Sequence, residues 1–276
     1  MIILNKLIYF CEAINCNHII LPKNRFWFIK NPIFLKDSNI TIEPIDDNKI
    51  NITYKNESLN LYTIEYSSFY IFYVFTQIRP KIIINLFKEE ILKNLPVFNI
   101  SRNDLYIHIR SGDIFSYCVN VNYAQPPLCF YKSILQNFNF TNIYLIAKDR
   151  NNPLIDKLLV KYKNIIYLPN NLESDLSHLI NSYNLVASIS SFLIIIIILN
   201  SNLENLYEYN IYKMKPKILH FHYDLYKYHN NFTIYRMEPS KIYMNKMYAW
   251  KNNKIQRQLM IKEKCINSFK IIRNSN

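Results

Sequence analysis

His108 and Arg110 stand two residues apart in the stretch Tyr106-Ile107-His108-Ile109-Arg110-Ser111-Gly112-Asp113-Ile114-Phe115. The apolar and β-branched start of this stretch predicts a strand that ends at Gly112. Alternate strand residues share a face, so both side chains emerge together at the strand's carboxyl end. Two cation-capable groups at such a place can converge on one anion. Arginine suits the task because its planar fork pairs bidentately with phosphate oxygens. Gly112 is the single glycine of the chain and frees the backbone for a sharp bend or a close approach to a ligand. Asp113 follows, either as the carboxylate that fixes Arg110 or as an acid/base. The alternative is a structural Arg–Asp pair beside a satisfied core histidine.

A second cluster, Ser188-Ile189-Ser190-Ser191-Phe192, lies between an apolar strand and an apolar helix. Hydroxyls and free backbone N–H groups at a helix start attract anions. Read alone, an ordinary serine N-cap explains the cluster equally well.

The elements that must position these residues come in two textures. Residues 2–15 recur at helical spacing, 18–21 read as a short buried strand, and 22–67 are irregular with strand-like pieces at 40–43 and 50–54 around an Asp46-Asp47-Asn48 turn. Residues 69–75 read as a strand and 80–95 as an amphipathic helix. Beyond Pro96, strands at 105–109, 143–146, 165–168 and 185–189 alternate with helices at 126–138, 152–162, 173–182 and 192–200. That alternation is the signature of βαβ units and a parallel sheet. A last helix, basic on one side, is expected over about 246–269. The expected division is 1–97, 98–245 and 246–276.

Composition excludes several classes. One glycine in 276 residues rules out the G-x-x-x-x-G-K phosphate loop, the G-x-G-x-x-G dinucleotide loop and the G-x-S-x-G nucleophile elbow. Hydrophobic residues at 50% and charged residues at 19% fit a globular chain. A net charge of +13 favours anionic partners, although pervasive Ile, Asn, Lys and Tyr bias also fits AT-rich coding. The five cysteines, odd in number and without C-x-x-C, indicate neither a full disulfide framework nor a zinc ribbon; a Cys118–Cys129 pair across a loop is the open alternative. Six Asn-x-Ser/Thr sequons, at Asn39, Asn51, Asn56, Asn99, Asn139 and Asn231, do not by themselves establish secretion in so Asn-rich a chain. Residues 1–14 lack a basic start and a small-residue cleavage site, so no signal peptide is expected. The apolar run 186–199 is shorter than a membrane span and fits a buried strand and helix. His220 and His222 read as polar strand residues, because no third metal ligand has suitable spacing.

The His-x-Arg-x-Gly-Asp motif, followed by Asn122-Tyr123-Ala124-Gln125-Pro126-Pro127 opening a helix, resembles the GDP-fucose-dependent fucosyltransferases, in particular the alpha-1,2-fucosyltransferase-like proteins. The resemblance runs from Cys11-Glu12-Ala13 and Phe26-Trp27-Phe28-Ile29-Lys30-Asn31, through Arg79-Pro80, to the segment 184–210, about three quarters of the chain. It implies an α/β, GT-B-like glycosyltransferase. A Rossmann-type parallel sheet in the C-terminal half would hold the donor, and the N-terminal α/β half would take the acceptor. It further implies that Arg110 contacts the donor diphosphate, that His108 lies in the donor site and that Gly112 shapes the turn beside it. Asp175, in Asp175-Leu176-x-x-Leu179, would contact guanine, and Ser190, Ser191 and Phe192 would form the phosphate-binding helix start.

The implied chemistry is metal-independent, inverting transfer of fucose from GDP-fucose to a glycan or protein-linked sugar hydroxyl, with GDP-fucose as donor substrate and no cofactor. Asp113 is the candidate acid/base. Relatives carry a Gly-rich segment before the helix matching 2–15, and its absence here implies a truncated N-terminal half. The compartment expected is cytoplasmic for the chain as it stands, or Golgi and secretory if an upstream segment belongs to it. No nucleic-acid partner and no membrane span are expected. Two alternatives remain: a catalytically inactive relative that binds a nucleotide sugar or glycan, and a basic nucleic-acid-binding α/β protein.

Overall fold

A computed structural model describes residues 18–22, 32–35, 39–45, 51–54, 57–60, 92–116, 119, 121, 123–169, 171–210, 232–266 and 268–273. The chain divides into two compact units, Met1–Asn94 and Leu95–Asn276.

In the first unit the described residues form a mixed sheet. Its strands are β1 (His18–Pro22), β2 (Ile33–Leu35), β3 (Ile40–Ile45), β4 (Asn51–Tyr54) and β5 (Glu57–Asn60), in the order β2-β3-β1-β4-β5. β1 and β3 run parallel with Ile19 opposite Ile42, and both side chains are fully buried. β4 and β5 form a hairpin that the sequence does not announce, because Glu57-Ser58-Leu59-Asn60 has no apolar alternation. The helix expected over 2–15, the strand over 69–75, the Asp46-Asp47-Asn48 turn and most of the helix over 80–95 lie outside the described residues.

The second unit is α/β, with a seven-stranded, mostly parallel sheet compatible with a Rossmann-like fold. Its strands are β6 (Leu105–His108), β7 (Ile143–Ile146), β8 (Ile165–Leu168), β9 (Asn184–Ala187), β10 (Asn205–Tyr209), β11 (Thr233–Met237) and β12 (Lys270–Arg273). The order is β12-β11-β10-β9-β6-β7-β8, and only the edge strand β12 is antiparallel to its neighbour. The intervening helices are α1 (Leu128–Asn137), α2 (Pro153–Lys161), α3 (Leu172–Ile180) and α4 (Ser191–Leu199). Alternation along β6 divides the core. Leu105, Ile107 and Ile109 join Phe130, Tyr131 and Ile134 of α1, whereas Tyr106 faces the other way and stacks near His178 of α3.

Helix starts follow from local chemistry. Asn152, Asn171 and Ser190 each accept a backbone N–H from the first turn of α2, α3 and α4, and Pro153 opens α2, where a missing N–H costs nothing. No helix among the described residues is long and apolar enough to cross a membrane.

One expectation is corrected and one open alternative is closed. The single basic helix over 246–269 is instead two helices, α5 (Lys241–Met247) and α6 (Lys254–Lys262), followed by β12. The break falls where Trp250 is buried and donates its indole N–H to the Ile114 carbonyl at 2.7 Å, while Asn252 adopts φ 53° and Asn253 caps α6. Cys129 pairs with Cys265, not with Cys118, joining α1 to the segment after α6.

Candidate functional site

β6 sits at the sheet's switch point. The chain leaves β6 toward β7 and β8, then returns through α3 to lay β9 on the other side of β6. In open parallel sheets, ligands bind in the crevice beyond the carboxyl ends at such a reversal. His108 is the last residue of β6, and Ser188 directly follows β9. The two share a 2.8 Å hydrogen bond between Nδ1 and Oγ, and the imidazole lies 5.7 Å from the Phe192 ring of α4. Burial, with the Arg110 charge adding to it, pushes the His108 pKa down to about 3. The ring is therefore neutral at physiological pH and can polarise a ligand only as a dipole.

Arg110 follows where the strand has ended. Its Nη2 donates to both carboxylate oxygens of Asp113 at 2.8 Å, and its guanidinium lies 5.5 Å from the Tyr123 ring. Its Nε is buried without a hydrogen-bond partner. An orphaned donor costs about 1–3 kcal/mol, which an anionic ligand oxygen would offset.

The bend between Arg110 and Asp113 is held from outside. Gly112 has φ +70°, and a Cβ there would come within 3.0 Å of the Lys148 side chain. Asp149, just beyond β7, accepts from the Ser111 hydroxyl at 2.5 Å, the Gly112 N–H at 3.1 Å and the Asn151 N–H at 3.0 Å. Burial favours its neutral form, but these hydrogen bonds and Lys148 outweigh it and hold the carboxyl below its ordinary value. Asn152 donates from Nδ2 to the Arg110 carbonyl at 2.9 Å and from its backbone N–H to the Ser111 hydroxyl at 3.0 Å. The loop carrying Arg110 is thus fixed to the β7–α2 turn.

Gln125 ties the other side. Its Nε2 donates to the Tyr123 and Ile189 carbonyls at 2.9 and 3.3 Å, and its own carbonyl accepts the Tyr243 hydroxyl at 2.7 Å. Its Oε1 is buried without a partner. Ser190 is buried and its hydroxyl accepts the Phe192 N–H at 3.2 Å, so it acts as the N-cap of α4. Ser191 is the first residue of that helix.

Of the residues singled out in the sequence, His108, Arg110, Gly112, Asp113, Ser190, Ser191 and Phe192 gather at the switch point. Asp175 stands in the first turn of α3, after β8, where its charge bears on the Tyr167 phenol. Sequence reasoning missed Asp149, Asn152 and Gln125. Asp149 had one usable signal, a carboxylate just past an apolar strand and just before an Asn-Pro helix start. Among the described residues no group of three His, Cys, Asp or Glu could hold a metal ion; His220, His222, Asp46 and Asp47 lie outside them.

The arrangement offers a fixed guanidinium with an unused donor, a neutral imidazole, a buried amide acceptor and a helix N-terminus, all on segments that follow the carboxyl ends of β6 and β9. That set suits a bound phosphate ester carrying a neutral polar group. Comparison of the chain with protein-family models, with curated proteins and with solved structures finds no match.

Proposed function

We propose that this chain is a GDP-fucose-dependent fucosyltransferase of GT-B-like architecture, transferring fucose to a sugar hydroxyl with inversion and without a metal. The reading rests on the motif resemblance, and one observation carries it further. The guanidinium of Arg110 is clamped through one nitrogen by Asp113 and keeps a buried, unpartnered Nε at the switch point.

In this reading the β-phosphate of the donor meets Arg110 and the first backbone N–H groups of α4 at Ser190 and Ser191. As the sugar C1–O bond breaks, negative charge grows on that phosphate. A pre-set donor there stabilises the transition state more than the ground state. His108, neutral and fixed by Ser188, orients the donor without adding charge. Asp113, engaged with the fork, sets the direction of Arg110. Asp175 at the start of α3 reads the base, and a glycan hydroxyl attacks from the face opposite the pyrophosphate.

Thermal shift with GDP, GDP-fucose and UDP, followed by transfer of labelled fucose to a glycan panel, tests this. Stabilisation by both guanine ligands well above UDP, together with transfer, supports it. Equal response to all three nucleotides refutes it. The second reading is a nucleotide-sugar binder without turnover, favoured by Asp113 being held in an ion pair and so withheld from proton transfer. Guanine-selective binding with no transfer or donor hydrolysis selects it. Retention on RNA with a steep salt slope instead points to a nucleic-acid-binding protein.

A further inference from the structure

The sequons gain weight from the fold. The chain has 38 asparagines among 276 residues, so about three of its 24 serines and threonines should stand two places after an asparagine by chance, and six do. They are Thr41, Thr53, Ser58, Ser101, Thr141 and Thr233. Asn39, Asn99 and Asn139, the sequon asparagines whose side-chain exposure is described, are all exposed. The asparagines that the core buries, Asn152, Asn184, Asn200 and Asn210, belong to no sequon.

The segment after α1 is built to present its acceptor. Phe138 and Phe140 turn inward onto Tyr207, with ring centroids 4.9 and 6.1 Å away. Asn139 and Thr141 are therefore turned outward, and both are exposed. Asn99 and Ser101 are likewise exposed, in the irregular stretch before β6. The Thr141 N–H donates to the Asn103 carbonyl at 2.9 Å, so both sequons lie on neighbouring loops at the amino edge of the sheet. A four-residue strand separates that edge from the candidate site by about 13 Å, and bulk added there leaves the carboxyl edge open.

A second, independent feature points to the same environment. The Cys129–Cys265 bridge joins residues 136 positions apart. Such bridges persist in oxidising compartments and are rare where thiols are kept reduced.

We propose that Asn139 and Asn99 are N-glycosylated, in the oxidising compartment in which Cys129 and Cys265 are joined. The Asn Nδ2 attacks C1 of an oligosaccharide carried on a lipid pyrophosphate. The N–C1 bond forms, the C1–O bond to phosphate breaks, the lipid pyrophosphate departs with the electron pair, and the amide gives up one proton. The hydroxyl of Thr141 or Ser101 completes each acceptor motif. The bridge forms as the two thiols pass two electrons and two protons to a protein disulfide oxidant.

The full chain isolated from its native cells, treated with glycan-releasing amidase in heavy-oxygen water, should carry heavy aspartate at positions 139 and 99. A non-reducing digest should yield the peptide pair linked through Cys129 and Cys265. Expressed full length through a eukaryotic secretory route, Thr141→Ala should lose one glycan's mobility shift and Thr141→Ser should keep it. Thr141 is exposed, so neither change threatens folding. Unlabelled asparagines at both positions, free thiols at both cysteines, or an unchanged shift in Thr141→Ala overturns the proposal.

Discussion

Replacing Arg110 with lysine keeps the charge and removes the fork. In the structure that fork has two sides: Nη2 serves both oxygens of Asp113 at 2.8 Å, and Nε is buried with no partner. Lysine brings one nitrogen, which can stay with Asp113 or reach a phosphate but cannot hold both in this geometry. The ion pair itself adds little to global stability, because its side chains are 27% and 62% exposed and such pairs contribute under about 1 kcal/mol. Folding should therefore be nearly unchanged. A lost charge-assisted hydrogen bond costs about 1.5–3 kcal/mol, or about 10- to 150-fold in affinity. Titration calorimetry with GDP at fixed ionic strength should show that loss for Arg110→Lys. Asp113→Asn should weaken binding less, because it loosens the fork without removing it. Wild-type affinity in Arg110→Lys, with unaltered unfolding, would refute the assignment of Arg110 to the diphosphate.

Other expectations concern the frame around that fork. His108 has a folded pKa of about 3, below its ordinary 6.5, so the unfolded chain binds the proton first and stability falls as pH drops below about 6.5. Between pH 7 and 5 this amounts to about 2 kcal/mol, and chemical denaturation of His108→Gln should show a correspondingly flatter pH dependence. Gly112→Ala forces an L-residue to φ +70° and should cost about 1–2 kcal/mol, lowering Tm by a few degrees and weakening GDP binding as the bend shifts. Glu208 and Arg236 form a buried ion pair on adjacent strands, so Glu208→Leu should lose about 3–5 kcal/mol in urea unfolding. The double change Glu208→Leu with Arg236→Met should recover most of that loss, because both buried charges are then removed together.

What could be read from the sequence depended on whether a residue's role is set by its neighbours in the chain. β7 and β8 fall at the residues expected from their apolar runs, and the helices that follow them agree within a residue or two. β10 and β11 stayed hidden because Glu208 and Arg236 interrupt their apolar runs. Their charges become tolerable only when the strands pair in the register that sets one against the other. The expected long C-terminal helix failed for the same reason. Helical spacing continues past residue 248, but burial of Trp250 against the Ile114 carbonyl gives the chain a better use for that turn.

The same division runs through the site. His108 and Arg110 were legible because strand alternation and the sole glycine put two cation-capable groups at one strand end. Asp149, Asn152 and Gln125 were not, because their partners lie 37 to 64 residues away, on other turns. Strand order is equally silent in local sequence. Nothing between residues 165 and 187 states that β9 will return beside β6, yet that return makes the end of β6 a switch point and brings Ser188 to His108. Sequence could therefore nominate an anion-binding arginine, whereas only the strand reversal sets that arginine at a switch point of the sheet.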